Sequence, residues 1–264
     1  MGIIKNIINN RRLVFSLSVN DFKTKYSASQ FGIIWAFVQP VITILIYVFV
    51  FQVIAKANPV AGGFPFVLWL ISCMVPWFFF SESVGNGTSA LVEYSYLVKK
   101  VVFNIQILPV IRVLSSIFVH VFFVLFTILV FVISGYMPTP YYLQIIYYMF
   151  CCIVLTSSLS YITSAIMPFF RDFLQLVNII LMLGMWVCPV MWDYTTLLPE
   201  KYHWLVRINP VFYIIQGYRD SLVDKVWFWQ KPIDFIIFWT ITIVIFLLGG
   251  RMFKKLSVHF ADVL

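Results

Sequence analysis

Six stretches of this chain stay apolar for long enough to cross a lipid bilayer, and the polar residues gather between them. A hydrocarbon core about 30 Å thick needs about 20 apolar residues wound as helix. The stretches run from Gly32 to Ile54, Phe64 to Phe80, Ile107 to Ile133, Tyr141 to Pro168, Phe173 to Trp192 and Ile233 to Phe253. Ser134–Gly135 and Pro138–Thr139–Pro140 leave so short a link that the third and fourth spans form an antiparallel hairpin. The expected fold is all-α and integral to the membrane. An interfacial helix occupies residues 1–30, a six-span transmembrane domain residues 31–256, and a short tail residues 257–264.

The segments outside these spans carry patterns of their own. Ile4, Ile8, Phe15, Val19 and Phe22 recur near one helical face, with Lys5, Arg12 and Lys23 at its border, as in a helix lying in the membrane interface. Two readings stand for it, a plain anchor or a docking element presenting Asp21, Lys23 and Lys25. Ile3 to Ile8 is too short an apolar run for a cleaved signal peptide. Between spans two and three, Gly85, Asn86, Gly87, Thr88 and Ser89 break the apolar pattern. Leu91 to Val98 then offers apolar residues beside Glu93, Lys99 and Lys100. Such a surface fits contact with another protein or packing on the chain's own helices. Between spans five and six, Leu197 to Val206 and Val211 to Ile215 form two apolar groups divided by Asn209–Pro210. Neither group is long enough to span, so two short re-entrant or interfacial helices are expected there. They are a candidate gate, because bent backbone at membrane depth needs protein or a water-filled cavity around it.

Charge sets the orientation. With six spans both termini share one side, and that side holds Lys5, Arg11, Arg12, Lys23, Lys25, Lys99, Lys100, Arg112, Arg171, Arg251, Lys254 and Lys255. Lys56, Lys201, Arg207, Arg219, Lys225 and Lys231 lie opposite. The acidic residues divide evenly, so the excess of Lys and Arg places both termini in the cytoplasm. Composition agrees with the membrane: 62% of residues are hydrophobic and 11% charged, against about 45–50% and about 25% in a soluble domain. The net charge of +8 follows the span edges rather than a nucleic-acid patch, so no nucleic-acid partner is expected.

Little of the chain is equipped for chemistry. No G-x-x-x-x-G-K-[ST] loop is present to cradle ATP. Cys73, Cys151, Cys152 and Cys188 lie in apolar runs without metal-ligand spacing, so neither a metal nor a catalytic residue is expected. His120, His203 and His259 are scattered, and His120 fits packing or a local hydrogen bond. The span interiors hold almost no charge. Arg112, near the end of span three, is expected to snorkel. Aromatics are the remaining resource. Trp77, Phe78, Phe79 and Phe80 close span two, while Trp192, Tyr194, Tyr202, Trp204 and Tyr213 populate the opposite face. These fit an interfacial belt or, for Trp77, Phe78 and Trp192, a path over which sugar rings slide.

Taken together, several segments resemble one family. Asp21-Phe-Lys-Thr-Lys-Tyr26, Phe31-Gly-Ile-Ile-Trp-Ala-Phe-Val-Gln-Pro40, Val75-Pro-Trp-Phe-Phe-Phe-Ser81, Leu97-Val-Lys-Lys100, Pro109, Arg171-Asp172 and Asn209-Pro210 with Arg219 follow its order and spacing. The chain is similar to the membrane subunits of ABC exporters for lipid-linked polysaccharide, the family exporting O-antigen, capsule and teichoic acid. The resemblance implies a homodimer in a bacterial cytoplasmic (inner) membrane, paired with ATPase subunits that bind ATP and Mg, while this chain binds no cofactor. It implies ATPase contacts at Asp21, Lys23, Lys25, Glu93, Tyr94, Leu97, Lys99 and Lys100, and an outer gate at Trp204, Asn209, Pro210, Tyr213 and Arg219. An ion-coupled secondary carrier is the alternative. It predicts paired intramembrane carboxylates or broken helices in two similar halves, and neither pattern is in the sequence. A membrane glycan enzyme predicts an acidic or metal cluster, whereas Asp193, Glu200, Asp220 and Asp224 are dispersed.

Overall fold

The computed structural model describes residues 2–25, 31–54, 56, 59–60, 63–99 and 104–264, with the side chains of residues 2–4 and 261 excepted. Lys100, expected at the partner surface, and the Ile4 side chain of the proposed stripe lie outside what is described. Apart from an isolated antiparallel bridge between Val60 and Phe64, the regular structure is helical.

Two helices, α1 (Gly2–Asn9) and α2 (Arg11–Lys25), precede the membrane domain. The spans that follow are α3 (Gly32–Ile54), α4 (Phe66–Glu93), α6 (Ile105–Ile133), α7 (Pro140–Ile166) and α12 (Pro232–His259), with a single turn α5 (Ser95–Val98) after α4. These five helices are long and apolar enough to cross a membrane; α8 (Phe173–Val187) is apolar but has 15 residues. Short helices α9 (Tyr194–Leu197), α10 (His203–Arg207) and α11 (Pro210–Arg219) lie between α8 and α12, and α13 (Phe260–Val263) closes the chain.

Helix α4 is the axle. Of its apolar window 78% is buried, against 11% in α3, so α4 packs among the chain's own helices while α3 faces outward. Ring contacts fix the two ends of the bundle. At one end Phe253 and Phe260 meet 5.4 Å apart in a core that includes Val14, Leu91, Ile107 and Tyr161. Asn6 donates to the Gln106 side chain at 2.9 Å there, so both termini share that end. At the other end Phe64 meets Phe131 at 6.0 Å and Tyr141 meets Trp227 at 4.8 Å.

Four sequence expectations change. The polar break after Phe80 is not a loop: α4 continues through Gly85–Ser89 to Glu93. Small residues are what lets α4 and α7 touch, as in membrane helix pairs generally. A Cβ on Gly87 would stand 1.9 Å from Ser160 Oγ. Thr88 Oγ1 donates to the Val84 carbonyl at 2.7 Å and accepts from the Thr163 hydroxyl at 2.8 Å, so its hydroxyl is satisfied inside the bundle. Gly87→Ala is therefore expected to cost about 1–3 kcal/mol by overpacking. The measurement is thermal unfolding in detergent, and Ser160→Gly in the same chain should recover most of the loss.

The fifth span is the second change. Its helix ends at Val187 rather than Trp192, because Cys188 precedes Pro189 and takes the extended conformation (φ −72°, ψ 139°) that a following proline imposes. The buried residues Cys188, Val190 and Met191 continue the path into the bundle without helix. Third, the inward row of α2 is Val14, Ser18 and Asp21. Phe15, placed on the apolar stripe by periodicity, is 65% exposed, and Phe22 sits 5.1 Å from Phe118. Fourth, the two groups between α8 and α12 do form short helices on either side of Asn209–Pro210, but they differ in setting. Trp204 and Leu205 of α10 are exposed, whereas every residue of α11 from Val211 to Arg219 is buried.

Candidate functional site: an ion cluster at one end and a buried short helix at the other

Arg112 does not snorkel. It lies on the first turns of α6, 5% exposed, with its Nη1 2.8 Å from Asp21 Oδ1 on α2 and its Nη2 2.6 Å from Glu93 Oε2 at the end of α4. Nε donates to the Asn86 carbonyl at 3.3 Å. The Tyr94 hydroxyl donates to the same Asp21 oxygen, and Ser89 donates to Glu93. Burial, and then the hydrogen bond to Asp21, pushes the Tyr94 phenol up from its ordinary pKa and keeps it a donor. One guanidinium thus ties together three elements distant in sequence. A fork of five N–H donors suits that task and an ammonium does not.

The expected partner-contact residues fall into four settings around this knot. Asp21 is 3% exposed, so its carboxylate is engaged inside the chain and holds the surface in place rather than forming it. Lys25 pairs with Glu82 at 2.7 Å. Tyr94 and Leu97 are half-buried against the core at the terminal end, while Lys23, Glu93 and Lys99 are exposed. Next to them Tyr96, part of the apolar surface expected over Leu91 to Val98, is 58% exposed.

At the opposite end α11 is built to be buried. Asn209 caps it by accepting from Val211 N at 3.0 Å, and Pro210 takes the first helical position, where no N–H is needed. Gly217 gives the close approach: a Cβ there would lie 2.1 Å from the Tyr148 ring of α7. Tyr218 reaches His120 Nε2 at 2.7 Å, and Tyr213 stacks on Phe238 with centroids 4.8 Å apart while its hydroxyl meets Tyr147 at 3.1 Å. Of the expected gate residues, then, Tyr213 and Arg219 are packed within the bundle, Asn209 and Pro210 form the hinge between the short helices, and Trp204 is 59% exposed. Two ion pairs hold the region to the start of α12, Arg207 to Asp234 at 2.6 Å and Lys231 to Asp220 at 2.5 Å.

The three aromatics proposed as one sugar path separate. Trp77 is buried beside Phe80 and against Gly184 of α8. Trp192 lies at the far end, its Nε1 donating to the Trp186 carbonyl at 3.0 Å. Phe78 opens instead onto a groove of about 360 Å³ between α3 and α4, with Trp35, Gln39, Thr43 and Ser81. Gln39 and Thr43 are one helical turn apart in an otherwise apolar span, a signal present in the sequence and not used. Among the described residues no group of His, Cys, Asp and Glu is placed to hold a metal ion.

With this geometry in place, the amino-acid sequence matches a known family over most of its length. The model of the ABC-2 type transporters matches residues 12–223. The chain belongs to the ABC-2 type transporter family. Within that family it is similar to the O-antigen export system permease protein RfbA of Myxococcus xanthus, 28% identical over 218 residues that cover 82% of each chain. Two permeases of the same description from Klebsiella pneumoniae are 27% identical over 256 residues and 25% identical over 255 residues, each covering 96% of this chain and 95% of the relative. The matched region runs from the α2 helix to just past α11, so the Arg112 cluster and α11 lie inside it, while Lys231 and Asp234 lie beyond it.

Proposed function

We propose that this chain is the membrane subunit of an ATP-driven exporter that moves lipid-linked polysaccharide from the cytoplasmic to the outer face of a bacterial cytoplasmic membrane. The observation that carries the reading is the near full-length similarity to O-antigen export permeases. Apolar helices with little buried charge beyond the paired ions described above agree with it. ATP binding and hydrolysis fall to a separate ATPase subunit. Differential binding of ATP to one arrangement of the assembled complex is what drives transport. A helix of 15 residues spans about 22 Å, and after it the buried residues Cys188, Val190 and Met191 carry the chain on through a tight turn in which Val190 N donates to the Cys188 carbonyl. In this reading α8 together with residues 188–191 makes a sixth crossing, which leaves both termini in the cytoplasm. Two copies meet through outward apolar faces such as those of α3 and α8, where Leu45, Phe49, Leu183 and Trp186 are exposed.

The ATPase docks on the exposed residues around the Arg112 knot, chiefly Tyr96, Glu93, Lys23 and Lys99. Tyr96→Ala is expected to reduce copurification of the ATPase at least tenfold, in line with the loss of an interface hot spot worth about 2 kcal/mol. The chain's own melting temperature should not change. Copurification at the wild-type level contradicts this docking surface. Deleting the gene tests the function itself. Surface polysaccharide should disappear and the lipid-linked polymer accumulate on the cytoplasmic leaflet; normal surface polymer contradicts the proposal.

A further inference from the structure

Beside α11, at the end away from the termini, lies a cavity of about 330 Å³, within the size range of small-molecule sites, about 300–1,000 Å³. Its wall is unlike the rest of the bundle. Arg219, 3% exposed, lies over the Trp69 ring at 3.7 Å from the centroid. Its Nη1 donates to Gln216 Oε1 at 3.2 Å and its Nη2 to the Pro189 carbonyl at 3.0 Å. Its Nε finds no partner among the described residues. A buried donor left open costs about 1–3 kcal/mol, and this one belongs to a side chain that lines the cavity. Across from it Asp220 accepts from Gln216 at 2.8 Å and from Lys231 at 2.5 Å. Asp224 stands at the exposed mouth, its Oδ2 only 3.3 Å from Gln216.

We propose that this cavity binds one neutral sugar residue of the exported polymer; the inference rests on the export function proposed above and adds a subsite to it. The chemistry selects the ligand class. Three carboxylates line the space, Asp193, Asp220 and Asp224, against the two cations Arg219 and Lys231, so a phosphate or a uronate meets net repulsion. A bare cation finds two of the three carboxylates already engaged, Asp193 by Thr195 and Asp220 by Gln216 and Lys231. A neutral polyol suits both sets of groups, because each hydroxyl can donate to a carboxylate and accept from the Lys231 ammonium, which is 30% exposed and gives only one bond among the described residues, to Asp220. The cavity lies directly after α11, so a sugar seated there contacts the segment that must yield for the chain to pass.

The test uses the purified complex of this chain with its ATPase. Saturation-transfer NMR is measured with methyl glycosides of glucose, galactose, mannose and N-acetylglucosamine, with pyrophosphate as competitor. At least one neutral glycoside should show transfer. The signal should fall at least threefold in Asp224→Asn, at the mouth, and in Val223→Trp, which fills the space, while pyrophosphate leaves it unchanged. No transfer from any glycoside, equal transfer in both variants, or displacement by pyrophosphate overturns the proposal. Polymer export by the same wild-type complex in vesicles separates the two levels. Export without glycoside binding removes the subsite alone, whereas absence of export removes the function on which it rests.

Discussion

Arg112→Met is expected to destabilise the chain by about 3–5 kcal/mol, the cost of breaking a buried ion pair by removing one partner. Asp21 is left as a buried carboxylate whose second oxygen already has no partner among the described residues, and Tyr94 alone cannot neutralise it. Glu93 suffers less, since its side chain is 49% exposed and water replaces the guanidinium. The loss should appear as a lower melting temperature in detergent and poor recovery with the ATPase, because α2 and the α4 terminus lose their common anchor. Asp21→Leu combined with Arg112→Met should be milder than Arg112→Met alone, since no charge is then stranded. If the double variant is as unstable as the sum of the singles, the two residues are not coupled and the knot does not organise this end.

The second large effect is expected at Gly217. Gly217→Val places carbon atoms inside the Tyr148 ring, where van der Waals contact requires about 3.5–4.0 Å and a Cβ alone would already be at 2.1 Å. Helix α11 must leave its seat between α4 and α7. Export should fall to background. Cys73, whose Sγ lies 3.8 Å from the Ile215 carbonyl and which is buried as a free thiol, should react with a maleimide at least tenfold faster. Tyr148→Ala in the same chain should return the labelling rate towards wild type. An unchanged rate in Gly217→Val would mean that the helix keeps its seat and that the close approach of Gly217 to Tyr148 is not what fixes it.

Local pattern made much of the bundle legible. The bounds of α3 coincide with the apolar run from Gly32 to Ile54, and those of α6, α7 and α12 overlap their runs closely, because an unbroken apolar stretch between polar edges carries its own signal. The failures have a common cause in tertiary contact. Gly85 to Ser89 read as a break, yet in α4 Gly87 and Thr88 meet α7 while Asn86 and Ser89 bond to Ser116 and Arg112 of α6. Arg112 read as a residue reaching for the interface because Asp21, its partner, is 91 positions away in sequence. Trp77 and Phe78 are neighbours in sequence but open onto different grooves on α4. The short helices were foreseeable from Asn209–Pro210. The depth of α11 depends on Gly217 against Tyr148, which no local periodicity contains.

Reconstitution tests the central claim most directly. The chain and its ATPase are inserted into vesicles with lipid-linked polysaccharide in the outer leaflet, and only complexes with the ATPase facing outward are supplied with ATP. Polymer protected from added glycosidase should accumulate with ATP, and not with the chain alone or with a non-hydrolysable analogue. ATP hydrolysis by the purified chain in the absence of its partner, or protection that proceeds equally without ATP, would contradict the account.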